Sequence, residues 1–148
     1  MTRADLLTFM RGEKYAIEAS VSDSCHPQAA VVGIAVTDAF EIVFDTLATS
    51  RKARNLAAVP AAAFVIGATR DGAQRTVQYE GIADVPSGVE RDRIREIYFA
   101  RFPDGRDRLE WPGLIHIRVT PTWIRYSDYN GNPPLILELD ASALHALR

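Results

Sequence analysis

Apolar and polar positions alternate with a period of two over much of this chain, and short stretches of helical spacing interrupt that rhythm. Leu6, Leu7, Phe9 and Met10 predict a short helix over 4–10, capped by Thr2 and ended by Gly12. KYAIEASV alternates as a strand over 14–21, and SDSCHP turns the chain. QAAVVGIAVT is almost wholly apolar, so it reads as a second strand buried on both faces or nearly so. EIVFDT is a third strand, forming a hairpin with the second across DAF. Ala53, Leu56, Ala57 and Pro60 then recur at helical spacing, with Thr49 or Ser50 as N-cap and Pro60 as the stop.

AAAFVIGA and RTVQYEGIADV follow as a fourth and fifth strand, joined through Asp71-Gly72, a strong hairpin signal. In the fifth strand Val77, Tyr79, Gly81, Ala83 and Val85 share one face; Thr76, Gln78, Glu80 and Asp84 share the other. Ser87 and Glu90 form the pattern of a capping box before a helix whose inner stripe is Ile94, Ile97 and Tyr98. PDGRDRLEWPG reads as a loop, and LIHIRVTPTWIRYSDYN as one strand or two broken at Pro121. Asp140 caps a last short helix. Consecutive strands on tight turns favour an antiparallel sheet, and closure removes its edges. The expected architecture is mainly β, a small antiparallel barrel with flanking helices, and a single domain over 1–148.

Charge sharpens one place in this pattern. The helix after the third strand begins Ser50-Arg51-Lys52. A helix N-terminus carries partial positive charge, and a cation there costs roughly 0.3–1 kcal/mol. Two adjacent cations there are either simply solvated, their long stems lying over apolar neighbours, or they face an anion. First-turn amides, a hydroxyl and two cations converging on one point are a means of holding a phosphate. The rest of the composition excludes more than it assigns. The net charge of −2 over 148 residues argues against a general nucleic-acid binder. The single cysteine, Cys25, rules out an intrachain disulfide, and Cys25-His26 has no further ligand nearby for a metal. The first residues lack the apolar core of a signal peptide and no apolar run is long enough to span a membrane, so the expected location is the cytoplasm, without membrane partners.

The stretch EIVFDTLATSRKARNLAAVPAAAFVIG, followed by VQYEGIADV, resembles the pyridoxamine 5′-phosphate oxidase-like flavoproteins, the FMN-binding split barrels. The features that carry the resemblance are Thr46, Ser50-Arg51-Lys52, Asn55-Leu56, Pro60, Gln78 and Gly81, within 14–85. The resemblance implies a six-stranded split barrel and a homodimer with FMN at the subunit interface. Ser50, Arg51 and Lys52 would hold the FMN phosphate, with Gln78 nearby. Asp45 and Thr46 would lie along the ribityl chain or ring, and the backbone of Ala29, Ala30 and Val31 would face the isoalloxazine. Arg125 would reach the flavin or a substrate anion, or else pair with Asp128. The chemistry would belong to the flavin, acting on a small molecule with NAD(P)H or oxygen as the other redox partner.

The chain also departs from the oxidases themselves. The Arg and Lys expected at the two ends of the second strand are replaced by Gln28-Ala29-Ala30 and Gly33-Ile34, and the C-terminal part is not Arg-rich. That sets it among the related members rather than with enzymes of pyridoxamine phosphate. A deazaflavin-dependent reductase and a non-catalytic flavin- or haem-binding module are the alternatives; a haem would need His26, His116 or Cys25 as ligand. His116 is expected at the surface or an interface, and Trp111 and Trp123 in ordinary packing.

Overall fold

The structure is a computed structural model and describes residues 1–67, 72 and 74–147. In chain order the elements are α1 (Arg3–Gly12), β1 (Tyr15–Val21), β2 (Pro27–Gly33), β3 (Ala35–Val36), β4 (Ile42–Leu47), α2 (Arg51–Ala58), β5 (Ala61–Gly67) and β6 (Arg75–Asp84). They are followed by α3 (Gly88–Arg101), a 3-10 helix (Pro103–Glu110), β7 (Leu114–Asp128), β8 (Leu135–Asp140) and α4 (Ala141–Ala146). One antiparallel 8-stranded sheet runs β2-β1-β5-β6-β7-β4-β3, with β8 added on β7. It curls around its core as a split barrel, with the helices on its flanks. No helix among the described residues is long and apolar enough to cross a membrane.

The barrel interior follows from strand alternation. Ile66, Phe64, Val77, Tyr79, Ile117, Val119 and Phe44 point inward and are fully or nearly fully buried. Burying each such side chain contributes about 1.5–3 kcal/mol. Helix α1 adds Leu6 and Met10, both 0% exposed. Its N-terminus is secured by a capping box in which Thr2 Oγ1 accepts from the Asp5 amide at 3.2 Å and Asp5 accepts from the Thr2 amide at 2.7 Å. A second, smaller core lies between α3 and the sheet, built on Val43, Ile94, Tyr98, Phe99 and Phe102. Strand β4 is therefore covered on both faces, Phe44 inward and Val43 against α3. Gly81 is required by close approach: a Cβ there would overlap the Thr120 carbonyl and lie 2.7 Å from Val119 Cγ1.

Several sequence expectations change. The run over 28–37 is not one buried strand. It breaks after Gly33; β2 pairs with β1, and only Ala35–Val36 pairs with β4. Side chains of β2 alternate between exposed and part-buried or buried, with Val31 69% exposed and Val32 in the core. The break lies where the chain passes Phe102, whose ring a Cβ on Gly33 would meet at 2.7 Å. This division and the added strand β8, which the pattern does not single out, account for eight strands rather than six. Ser87 makes no side-chain cap bond, and the Glu90 carboxylate pairs with Arg93 and Arg118. Val85 lies past the end of β6 and is 55% exposed. On α2, Ala57 is exposed and Asn55 buried, the reverse of their polarity. The 103–110 segment is helical rather than a loop. Strand β7 runs through Pro121 unbroken, absorbing it in a register shift opposite Glu80 and Gly81. The expected Asp71-Gly72 turn lies outside the described residues except for Gly72, which has a φ of +74°.

Candidate functional site

The N-terminus of α2 is built by a short polar chain. Ser50 takes the extended conformation of an N-cap, and its Oγ accepts from the Ala53 amide at 3.2 Å. Thr46 Oγ1, at the end of β4, donates to the same oxygen at 2.9 Å. With both lone pairs engaged, the Ser50 hydroxyl proton is directed away from the helix and can be donated to an anion. Arg51 is exposed and Lys52 half-buried. Among the described residues neither side chain has a hydrogen bond or an ion pair. Most of the described arginines are paired, for example Arg11 with Asp38 at 2.6 Å, Arg108 with Asp45 at 2.9 Å and Arg118 with Asp84 at 2.7 Å. Arg51 and Lys52 make no salt bridge among the described residues, and they sit at the helix end where a cation is least favourable.

The other expected site residues fall on different faces. Ala29 and Val31 point outward, in line with Ala19 and Ile17 of β1. Ala30 points inward, opposite Glu18. Gln78 lies on the outward face of β6, between Val65 of β5 and Arg125 of β7. Arg125 bridges to Glu138 at 3.2 Å rather than to Asp128, which faces Arg75. Trp123 is half-buried and lines a groove on this outward face with Ile17, Ala63, Gln78 and Glu80; Trp111 is exposed. Alternation along β4 separates Asp45 from Thr46. Thr46 faces Ser50, whereas Asp45 faces α3, where its carboxylate accepts from Tyr98 Oη and Arg108 Nε, both at 2.9 Å. Ser50, Arg51, Lys52 and Thr46 are therefore brought together. Ala29, Val31, Gln78 and Arg125 form a separate outward group, and Asp45 belongs to neither.

Two residues with unusual environments were not expected. His116 is 2% exposed instead of lying at a surface, because α3 covers it. Its ring meets Tyr98 and Phe99 at 5.3 and 5.6 Å, and Arg95 Nε donates to its Nδ1 at 3.3 Å. Burial, reinforced by the Arg95 charge, pushes its pKa down to about 4, so the ring is neutral near pH 7. Glu18 is 0% exposed and neither carboxylate oxygen has a hydrogen-bond partner. Its inward parity is readable from KYAIEASV, but the helix that covers it is not. Cys25 is exposed in the β1–β2 turn, and Ser24 Oγ lies 3.3 Å from His26 Nδ1. No group of three or more His, Cys, Asp or Glu among the described residues is placed to hold a metal.

A family model described as pyridoxamine 5′-phosphate oxidase matches residues 3–128. No curated protein matches the sequence. Among solved structures, a haem-binding protein from Mycobacterium smegmatis superposes with a TM-score of 0.82 at 17% identity, covering 99% of this chain and 61% of that one. The chain thus spans about three-fifths of that protein. HutZ, the haem storage protein from Vibrio cholerae, has a TM-score of 0.71 at 15% identity, over 80% of this chain and 88% of its own. A pyridoxamine 5′-phosphate oxidase-related, FMN-binding protein from Nostoc punctiforme has a TM-score of 0.68 at 15% identity, over 93% and 87%. At such identities the structures speak to the fold alone. With the family model spanning most of the sequence and the sheet curled as a split barrel, the chain belongs to the pyridoxamine 5′-phosphate oxidase-like family.

Proposed function

We propose that this protein is a homodimeric FMN-binding flavoprotein, and that it acts as an oxidoreductase on a small molecule with NAD(P)H or oxygen as the second redox partner. The observation that carries the reading is the pair Arg51 and Lys52 at the start of α2, with no salt bridge among the described residues, beside the Thr46–Ser50 hydroxyl chain. A phosphate there takes the first-turn amides, the Ser50 hydroxyl and both cations, and the helix dipole favours its charge. FMN, when bound, supplies the redox chemistry; the chain's own residues grip its phosphate and shape its surroundings. Ala29, Val31, Gln78 and Arg125 lie on another face, so they serve a flavin whose ring extends to a subunit boundary. That outward face exposes Ile17, Val31, Val65 and Ile82, apolar area that a second copy would cover. A free, exposed Cys25 thiol suits a reducing compartment such as the cytoplasm. The missing strand cations argue for a substrate other than pyridoxamine phosphate. A deazaflavin coenzyme would use the same phosphate site.

A second reading, a haem-binding or storage module without turnover, draws on the neighbours from Mycobacterium smegmatis and Vibrio cholerae. His116 is enclosed by Tyr98, Phe99 and Arg95, so of His26 and His116 the exposed His26 is the histidine to test as a ligand. The deciding experiment is the visible spectrum of the purified protein after incubation with FMN or haemin and desalting, with light scattering for mass. Retained flavin bands on a dimer are expected. Retention of haemin and not FMN would replace the first reading with the second, and a monomeric mass would overturn the dimer.

A further inference from the structure

The proposed phosphate site leaves Glu18 unexplained. It lies mid-way along β1, on the inward face with Ala16 and Ser20, opposite Ala30 of β2 and Phe64 of β5. It is wholly buried with both oxygens unpartnered, a costly state for a carboxylate unless a positive charge stands close. Helix α2 supplies that charge. Asn55 Nδ2 donates to Ser20 Oγ at 3.2 Å and to Gln28 Oε1 at 3.3 Å, which seats this side of α2 over β1 and β2. Lys52 is one turn earlier on the same side of the helix as Asn55. Burial raises the Glu18 pKa, while the Lys52 charge and then the Ser20 hydroxyl oppose that rise. Lys52 is the ionisable group that acts on it from α2; its neighbours on β1, β2 and β5, namely Ala16, Ser20, Ala30 and Phe64, do not titrate.

We propose that Glu18 is the counter-charge of Lys52 and competes with a bound phosphate for it, so that anion binding at α2 is coupled to proton uptake by Glu18. The proposal rests on the phosphate reading of Arg51 and Lys52. Without an anion, the Lys52 ammonium offsets the buried carboxylate. When a phosphate dianion draws the ammonium outward, Glu18 loses that charge and takes one proton from solvent; the new O–H is the only bond formed. Glu18 is thus a positioning residue, acting through Lys52. FMN binding strengthens as pH falls, down to about pH 6 where the phosphate itself becomes a monoanion.

The test is a 13C-carboxyl NMR titration of glutamate-labelled protein, with the Glu18 signal assigned by its loss in Glu18→Gln. In Lys52→Met the Glu18 midpoint should rise by roughly one pH unit or more. Equal midpoints in the parent and Lys52→Met would overturn the pair. Saturating the parent with FMN should raise the midpoint in the same direction. FMN that binds, seen by quenching of its fluorescence, while the midpoint stays put would overturn the competition and leave the FMN reading intact. If the parent quenches no FMN fluorescence, the phosphate reading fails and the competition fails with it, while Lys52→Met still decides the pair.

Discussion

Truncating Arg51 should make the protein more stable and a worse FMN binder at once. The guanidinium is exposed and has no hydrogen bond or ion pair among the described residues, so Arg51→Ala removes no such contact there. It does remove a cation from the positive end of α2, which is worth about 0.3–1 kcal/mol at low ionic strength. A change of 1 kcal/mol moves the melting temperature of a domain of this size by about 2–4 °C, so a rise of about 1–4 °C is expected. A charge-assisted hydrogen bond to phosphate contributes about 1.5–3 kcal/mol, and each 1.4 kcal/mol is tenfold in affinity. FMN should therefore bind roughly 10- to 150-fold more weakly. The assays are thermal unfolding at low salt and at about 1 M salt, where screening should erase the gain, and FMN titration by fluorescence quenching. The opposite signs separate this outcome from a generally damaged fold. A variant that melts lower at low salt refutes the dipole argument, and one that binds FMN like the parent refutes the phosphate assignment. Lys52→Met should not share the gain in stability, because Glu18 then loses its neighbouring charge.

Two further expectations concern the fold. Tyr79 is 1% exposed, its hydroxyl donates to the Val119 carbonyl at 2.6 Å, and the Phe40 carbonyl is 3.1 Å away. Tyr79→Phe leaves those carbonyls short of a donor and should cost about 1–3 kcal/mol in urea unfolding; a change within error would show the bond to be dispensable. His116 has its pKa depressed to about 4 by burial, so the unfolded chain binds a proton that the folded chain resists. Its contribution is full above about pH 6.5 and is lost as pH falls toward 4, up to about 3 kcal/mol in total. His116→Gln should show a flatter fall in unfolding free energy over that window; slopes equal to the parent's would rule out His116 as the cause.

Local pattern determined a good deal of this molecule. The alternation in RTVQYEGIADV places Tyr79 inside and Gln78 outside, because a strand has only two faces. Ser50 as N-cap and Arg51-Lys52 in the first turn are local facts of one helix, and the structure keeps them. Other features depended on residues far away in sequence. QAAVVGIAVT looks buried because apolar content does not say what covers a strand; the chain breaks where it passes Phe102, and alternate side chains of β2 face outward. His116 and Asp45 look like surface or site residues until α3 and the 3-10 helix close over them with Tyr98, Arg95 and Arg108. Glu18 follows the same rule: its strand sets which way it points, but only tertiary packing makes it a buried carboxyl group without a hydrogen-bond partner. The sequence by itself determines directions and caps, which nearest neighbours control, while burial and charge environment come from long-range contacts that tertiary structure alone decides.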